Sequence, residues 1–373
     1  MEIINARSTK FYSVSDVGTA SAELILIIWN GSINQRVTVP TYTLNKIAIN
    51  EVVTFEVGEL ISDFIDVTFD GNYTGDAVWV NSTITAFDVN GGILSGVTTT
   101  ELAFNSYTYF QEPNATFPQL LMSNKDVFLL DGETFRVPIY VDRDGGGFKF
   151  QVLKQGVVLF EQTLTPTELS STQIQYIGVG DFKNSFANRV EAEGGVIESE
   201  NCLNIFDDEF NGADEIVIAG VKGENARIKN ISECKYEPKK ITFVNKFGAL
   251  QDMFFFKKSV EKLAVKKESY RANTIDAYGV YNTSQHTKRD FNITAEETQT
   301  LNSGYLSEQY NEVFKQLLLS EKVWLTSYNE GTEQVIPVNV KSGGITYKTS
   351  LNDRLVDYAI EFKNSFNVIN NIR

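Results

Sequence analysis

An almost unbroken apolar run stands early in the chain, Ala22-Glu23-Leu24-Ile25-Leu26-Ile27-Ile28-Trp29. The run is too short for a helix of ordinary length, but it suits a strand. Near-continuous apolar character is typical of a strand that is covered on both faces. We therefore predict a strand covered on both faces at this position.

Short strands are also predicted after this run. Residues 53–57 alternate between apolar and polar side chains, which is the period of a strand with one face in water. Ala77 to Val89 is a further strand candidate that ends at the turn-forming Asn90-Gly91-Gly92. Residues 60–65 instead carry apolar side chains at helical spacing, which indicates one short helix. We predict that residues 1–112, the first segment, form an N-terminal acidic β-sandwich.

A second β domain is predicted over residues 113–235, the second segment, because two prolines interrupt the strand pattern at its start. Two β-hairpins are expected within it. One covers residues 127–141 and turns at Asp131-Gly132, and the other covers residues 148–164 and turns at Gln155-Gly156. Both turns contain a glycine between apolar runs, which is the usual local signal for a hairpin.

The third segment, residues 236–373, is predicted to be a β-sandwich or barrel flanked by one amphipathic helix at about 304–320. Six apolar side chains indicate the helix because their spacing places them on one face: Leu306, Tyr310, Val313, Phe314, Leu317 and Leu318. Strands are predicted on both sides of it, at residues 241–244, 253–256, 322–328, 335–340, 345–349 and 356–368. The whole chain is therefore expected to be mainly β, with two or three β-sandwich-like domains in tandem.

The charge of the chain is negative and unevenly distributed. There are 33 Lys and Arg against 48 Asp and Glu among 373 residues, a formal net charge of −15. The first segment carries 4 basic and 13 acidic side chains, whereas the third carries 18 and 16. Because negative charge repels phosphate backbones and anionic lipid surfaces, the composition disfavours specific nucleic-acid binding and membrane binding.

No set of residues in the sequence predicts catalysis, a cofactor or a metal site. His286 is the single histidine, and its polar surroundings indicate a solvated position. Asp142 and Asp144 precede three glycines, but the full calcium-loop pattern is missing and a hairpin tip is the preferred interpretation. The acidic clusters at 207–209 and 214–215 are interpreted as solvated faces. We predict a protein that is not an enzyme, with no catalytic, cofactor-binding or metal-binding residues.

The cysteines and the chain start bear on the cellular compartment. Two reduced thiols are predicted at Cys202 and Cys234, with a single bridge between them as the alternative. The sequence Met1-Glu2-Ile3-Ile4-Asn5 lacks the basic and apolar regions of a secretion signal, and no run of 18 apolar residues occurs. These features predict synthesis in a cytoplasm without a membrane span.

Three stretches resemble virion structural proteins of tailed phages that infect Bacteroidetes. The first comprises Leu26-Ile27-Ile28-Trp29-Asn30-Gly31, Pro40-Thr41-Tyr42-Thr43-Leu44-Asn45-Lys46, Phe55-Glu56-Val57 and Ile65-Asp66. The second comprises Phe104-Asn105-Ser106-Tyr107-Thr108-Tyr109 and Val137-Pro138-Ile139-Tyr140. The third comprises Phe243-Val244-Asn245-Lys246-Phe247-Gly248-Ala249-Leu250-Gln251-Asp252, Val323-Trp324-Leu325 and Ile336-Pro337-Val338.

The resemblance implies a structural role in the tail, baseplate or collar, with no site residues to transfer. It also implies that the third segment is similar to tail-tube or distal-tail modules, in which a β-sandwich flanked by a helix packs into a ring. The implied partners are other copies of the chain and neighbouring virion proteins. The implied location is the virion, assembled in the host cytoplasm, and its acidic side chains would suit a passive DNA conduit.

Two other functions remain open at the level of sequence. The chain could be a host-receptor or carbohydrate-binding adhesin, for which Tyr107-Thr108-Tyr109-Phe110 is a candidate sugar-stacking patch; a role in the core is the preferred interpretation of these aromatics. A carboxylate-based glycoside hydrolase needs two closely placed acidic groups, and no such pair can be named from the sequence. The leading hypothesis is a non-enzymatic subunit that forms a ring or layer of the tail, baseplate or neck.

Overall fold

The computed structural model describes residues 3–31, 41–112, 117–130, 135–140, 148–164, 174–179, 191–193, 213–220, 223–231, 235–275, 277–329, 332–346 and 355–369. Within these ranges the chain is mainly β, with 24 strands and two helices. This confirms the predicted fold class. Every sheet draws its strands from one of the three predicted segments, although the exact boundaries between the segments stay predictions.

The apolar run forms an interior strand of a five-stranded sheet of the first segment. Leu24, Leu26 and Ile28 are buried, but the alternate positions Ile25 and Ile27 are only half-buried. The strand is therefore confirmed, whereas the expected complete cover of both faces is not seen. The strands of this first sheet are, in spatial order, β1 Ile3–Asn5, β7 Ile93–Phe104, β6 Ala77–Phe87, β3 Ser21–Trp29 and β4 Thr41–Ile47.

A small second layer packs on the first sheet. It consists of the antiparallel strands β2 Phe11–Ser15 and β5 Val52–Glu56, followed by helix α1 Gly58–Ser62. The predicted alternation is confirmed, since Val53 and Phe55 are buried in the same core as the inward face of β3. The helix ends at Ser62, so it is shorter than the pattern at 60–65 indicates.

The second segment contains two sheets whose inward side chains share one core. The five-stranded sheet has the order β11, β10, β14, β15, β8, and the three-stranded sheet has the order β13, β12, β9. The strand bounds are β8 Asp126–Leu130, β9 Phe135–Tyr140, β10 Phe148–Lys154, β11 Val157–Leu164, β12 Ile174–Val179, β13 Glu191–Glu193, β14 Glu215–Gly220 and β15 Asn225–Ile231.

One of the two predicted hairpins is confirmed, and the other is wrong. β10 and β11 pair through a two-residue turn in which Gln155 and Gly156 have φ values of 49° and 79°, as the twist of a tight hairpin requires. β8 and β9 instead lie in different sheets, where β8 pairs in parallel with β15 and β9 pairs with β12. Alternation along a strand identifies its buried face, but it does not identify the neighbouring strand, so a sheet-to-sheet crossover looked like a hairpin.

The third segment is built on one seven-stranded antiparallel sheet with the order β17, β16, β21, β22, β24, β19, β18. A two-stranded sheet, β20 and β23, and helix α2 pack beside it. The bounds are β16 Lys239–Val244, β17 Leu250–Phe255, β18 Val260–Arg271, β19 Lys288–Asn302, β20 Leu306–Ser307, α2 Tyr310–Leu319, β21 Val323–Asn329, β22 Thr332–Val340, β23 Leu355–Val356 and β24 Ala359–Asn364.

Helix α2 is shorter than predicted. It begins at Tyr310, whereas Leu306 belongs to β20 and pairs with Val356 of β23. Helical spacing included Leu306 because a buried strand residue can fall by chance on the extension of a helix face. Residues 345–346 do not form the predicted strand, and the remainder of 345–349 lies outside the described residues.

Two hydrophobic cores hold the chain, and both combine residues from different segments. The core of the first segment also contains Tyr176 from the second segment and Leu250 and Trp324 from the third. The other core joins the inward faces of the second segment to α2 and the seven-stranded sheet. Segments that are separate in sequence are therefore packed together through shared apolar surface.

Candidate functional site

The edge of the seven-stranded sheet extends into a long β-hairpin formed by β18 and β19. β24 pairs with β19 only over Thr298–Asn302. Nearer the tip of the hairpin, the backbone NH of Val368 donates to the carbonyl oxygen of Ala295 at 3.1 Å. Val265 is the cross-strand partner of Ala295. We call residues 266–294, which lie beyond this pair, the arm.

The arm is ordered by its own hydrogen bonds and ion pairs. The strands remain paired from Lys266 with Thr294 to Arg271 with Lys288, a length of roughly 20 Å at the usual rise of a strand. The Lys267 ammonium lies 2.5 Å from the Asp290 carboxylate. Within the tip, Ile275 forms a bridge with Tyr281. The arm is thus a defined two-stranded ribbon in the described residues.

Large apolar side chains on the arm remain in water. Seven of them are between 46% and 91% exposed: Tyr270, Ile275, Tyr278, Val280, Tyr281, Phe291 and Ile293. A single two-stranded hairpin is at best marginally stable in water, because it has no second layer to cover either face. The rings of Tyr270 and Phe291 lie 5.6 Å apart between centroids. Exposed apolar surface of this kind marks a site of protein–protein contact. The arm is therefore the candidate functional site.

No strand was predicted in the arm from the sequence, although the strands that carry it show part of the alternation expected of a hairpin. Leu263 and Val265 alternate on one side of the tip, and Phe291, Ile293 and Ala295 alternate on the other. The pairing register shifts between Lys266 and Glu268, and Asn292 adopts a positive φ of 50°. This irregularity breaks the period of two, so a search for regular alternation passes over the hairpin.

A buried polar cluster centred on Asp252 contains side chains from all three segments. The Asp252 carboxylate is 3% exposed and accepts hydrogen bonds from the hydroxyls of Tyr73, at 2.7 and 2.8 Å, and Thr242, at 2.7 Å. The Arg136 guanidinium lies 5.7 Å from the centroid of the Tyr73 ring. Burial raises the pKa of Asp252, and burial followed by the nearby Asp252 charge raises that of Tyr73.

Perturbed carboxylates of this kind are candidates for catalysis where a cleft gives substrate access to them. The Asp252 cluster is enclosed, and its groups come from different segments: Tyr73 from the first, Arg136 from the second, and Thr242 and Asp252 from the third. Its geometry fits a structural connection between segments.

An open cleft of about 480 Å³ lies where the first segment meets α2. The Tyr109 hydroxyl donates to a Glu312 carboxylate oxygen at 2.7 Å, and the Lys315 ammonium lies 3.4 Å from the centroid of the Tyr109 ring. Burial, followed by the hydrogen bond to Glu312, raises the pKa of Tyr109. Phe110, beside the cleft, is fully exposed. The aromatic patch predicted from sequence is therefore divided: Tyr107 and Tyr109 are half-buried and Phe110 is in water.

The residues considered as sites in the sequence are not brought together. His286 is exposed near the tip of the arm, as predicted for a solvated residue. The Asp214 carboxylate accepts the backbone NH of Gln155 at 3.0 Å and supports the β10–β11 turn. Glu215 lies 3.7 Å from Arg227. The calcium-like sequence, the acidic cluster and the two cysteines lie outside the described residues, at positions 142, 144, 202, 207–209 and 234.

The described residues also bear on metal binding and on a membrane span. Among these residues no group of three or more His, Cys, Asp or Glu side chains is placed to hold a metal ion. No helix in the described part of the chain has the length and apolar character needed to cross a membrane. The sequence-based expectation that the protein lacks catalytic, cofactor and metal residues stays a prediction.

No known protein-family model matches the chain, and no curated protein matches its sequence. The resemblance to phage virion proteins therefore remains an expectation from the sequence.

Proposed function

We propose that the chain is a non-enzymatic structural subunit of a tailed-phage virion, which assembles through its arm into a ring or layer of the tail, baseplate or neck. The observation that carries this proposal is the arm itself, a paired ribbon with seven large apolar side chains in water. The resemblance of the sequence to phage virion proteins supplies the biological setting.

Assembly gives a physical reason for the exposed side chains. Removing apolar surface from water is the main favourable term in protein association, at about 25 cal/mol per Å². The apolar residues of the arm have little of this stabilisation within the subunit. A neighbouring subunit that covered the arm would provide it, so the arm is a surface suited to permanent contact.

The charge distribution supports the same role. The first segment carries 13 acidic and 4 basic side chains, so it would repel DNA from the wall of a conduit. The partners under this proposal are other copies of the chain and neighbouring virion proteins. DNA would pass without specific binding.

The proposal is tested by comparing self-association with and without the arm. In an arm-less variant, Asn-Gly replaces residues 266–294 and connects Val265 to Ala295, which are direct cross-strand partners and so accept a two-residue turn. Sedimentation velocity should show closed oligomers or longer assemblies for the full chain and monomers for the arm-less variant. The control is Phe110→Ser, which removes a fully exposed aromatic outside the arm and should assemble normally.

A full chain that stays monomeric over the whole accessible concentration range would contradict the proposal. The virion role is tested separately by mass spectrometry of purified particles of the phage that encodes the chain. We expect a fixed number of copies per particle, and absence from the particles would refute the virion role.

A carbohydrate-binding adhesin is the second candidate, because Phe110 is exposed beside an open cleft that also presents Lys315 and Tyr109. Aromatic faces and a cation are groups that bind acidic sugars. Binding of the full chain to a glycan array, lost in Phe110→Ala and in Lys315→Ala, would support this function. Equal signals from all three proteins would exclude this cleft as the sugar site.

A further inference from the structure

The first sheet ends in three neighbouring connections that we call the loop end: residues 16–20, 47–52 and 88–93. Two backbone hydrogen bonds hold them together, from Ala20 to the Phe87 carbonyl and from Ala48 to the Ala20 carbonyl, both at 2.8 Å. The Glu51 carboxylate accepts the backbone NH of Gly18 at 2.8 Å and so connects two of the loops. The loop end is therefore a fixed platform.

Five apolar side chains of this platform are in water, between 72% and 90% exposed: Val17, Ile47, Ile49, Val89 and Ile93. They come from all three connections, so they lie at the same end of the sheet. The polar groups beneath them are used internally, since the Asp88 carboxylate accepts the backbone NH groups of Asn90 and Gly92 at 2.8 and 2.7 Å. The pattern is that of a docking surface with an ordered backbone.

The loop end and the arm have opposite charge. The loop end contains Asp16, Glu51 and Asp88 and no basic residue, whereas the arm contains five basic and three acidic side chains. Lys46, next to the loop end, donates to the Thr54 carbonyl at 3.0 Å and lies over the Phe55 ring, so it is directed towards β5. Two exposed apolar surfaces with net charges of opposite sign are complementary partners. Charge attraction brings the two surfaces together, and burial of apolar side chains stabilises the contact.

On the basis of the proposed assembly function, we infer that the arm of one copy docks on the loop end of a second copy. Covering the twelve exposed apolar side chains of the two surfaces removes on the order of 1,000 Å² from water, the scale at which specific interfaces begin. The contact is heterologous, since two different surfaces meet. Repetition of such a contact produces a closed ring or an open filament, according to its rotation.

A mixing experiment with two defective variants tests this pairing. The arm variant is Tyr278→Ser with Tyr281→Ser, and the loop-end variant is Val17→Ser with Ile47→Ser. All four side chains are exposed, so the melting temperatures should stay close to that of the unmodified chain. By mass photometry each variant alone should be monomeric. An equimolar mixture should form heterodimers and nothing larger, because one intact arm meets one intact loop end.

The outcomes distinguish this inference from the proposed function. A loop-end variant that still forms full assemblies by itself would overturn the inference and leave the proposed function standing, since the arm would then dock elsewhere. A full chain without any self-association would overturn both. A mixture that contains only monomers would overturn the inference as well.

Charge-reversal variants provide an independent test in case the first two variants do not fold. Lys288→Glu with Arg289→Glu reverses exposed charges on the arm, and it should weaken assembly at low salt far more than at high salt because screening shortens the range of the repulsion. The control Lys125→Glu with Lys258→Glu reverses two exposed charges outside the arm and should leave assembly unchanged. Equal loss in the two proteins, or a loss that is independent of salt, would contradict charge complementarity at the arm.

Discussion

Gly248 is placed where only a glycine fits, and a matched glycine elsewhere allows this to be measured. Both Gly248 and Gly156 have a φ of +79°. A Cβ atom at Gly248 would lie 2.9 to 3.0 Å from backbone atoms of Asn105, whereas a Cβ at Gly156 has nothing within 4 Å. The difference between the two sites is therefore steric, and it arises where the β16–β17 connection meets the first segment.

We predict that Gly156→Ala lowers the free energy of unfolding by about 1 kcal/mol, the cost of the left-handed conformation. Gly248→Ala should lower it by about 3 kcal/mol, because backbone atoms of Asn105 have to move as well. Chemical denaturation of both variants gives the comparison. Equal losses would show that the contact with Asn105 relaxes without cost.

Asp252 predicts a pH dependence whose sign follows from its raised pKa. An unfolded aspartate ionises near pH 4, while the folded carboxyl keeps its proton to a higher pH, so the native state binds more protons in that window. Stability from this group is complete below pH 4 and is lost as the pH rises through the folded pKa. Asp252→Asn removes the ionisable group, so the variant does not lose stability in this way as the pH rises.

The destabilisation caused by Asp252→Asn should therefore be smaller at about pH 7 than at about pH 4. Thermal melts of both proteins across this range provide the measurement, with the exposed Asp214→Asn as the control for loss of a carboxylate. The Lys240 charge opposes the shift in pKa, as do the hydrogen bonds from Thr242 and Tyr73 and the Arg136 charge, because all of them favour ionised Asp252. A penalty that grows towards pH 7 would show that these groups dominate.

At the scale of elements, helix α2 is held by one aromatic side chain more than by its caps. Phe314 is fully buried, and its ring centroid lies 4.6 Å from that of Tyr358 and 6.4 Å from that of Phe255. Phe314→Ala should lower the free energy of unfolding by about 3 to 5 kcal/mol through lost transfer energy and a cavity. Leu319→Ala on the same helix, nearly half exposed, should cost less than about 1 kcal/mol. Urea denaturation of the pair checks both values.

The sequence predicted elements best where the information was local. The β10–β11 hairpin follows from Gln155-Gly156 between two apolar runs, and the β5 alternation follows from Val53 and Phe55. The partner of β8 is β15, whose paired residues lie 101 positions further along the chain, and no local pattern specifies it. The arm was missed because the register shift between Lys266 and Glu268 breaks the period of two, and because burial imposes no regular alternation on its exposed side chains. The candidate site was thus the least predictable element.

At the scale of the whole molecule, the shared cores mean that no segment buries all of its apolar surface alone. The hydroxyl of Tyr176 accepts the backbone NH of Leu250 at 2.9 Å, and Asn245 donates to the Leu121 carbonyl at 2.7 Å. Trp324 of the third segment lies 5.7 Å, between ring centroids, from Phe69 of the first. The sequence shows only the order of the strands, and such contacts between distant residues leave no trace in that order.

These contacts predict that the chain unfolds as one cooperative unit. The arm-less variant is the protein of choice for calorimetry, because assembly then does not couple to unfolding. We expect a single transition whose calorimetric and van't Hoff enthalpies agree.

Trp324→Ala should lower the midpoint of this transition by about 5 °C without splitting it, since the loss of a buried tryptophan weakens the first and third segments together. Phe110→Ala, which removes an exposed ring, should leave the midpoint unchanged. Separate transitions, with only one of them displaced by Trp324→Ala, would mean that the segments are independent domains and that their shared core contributes little.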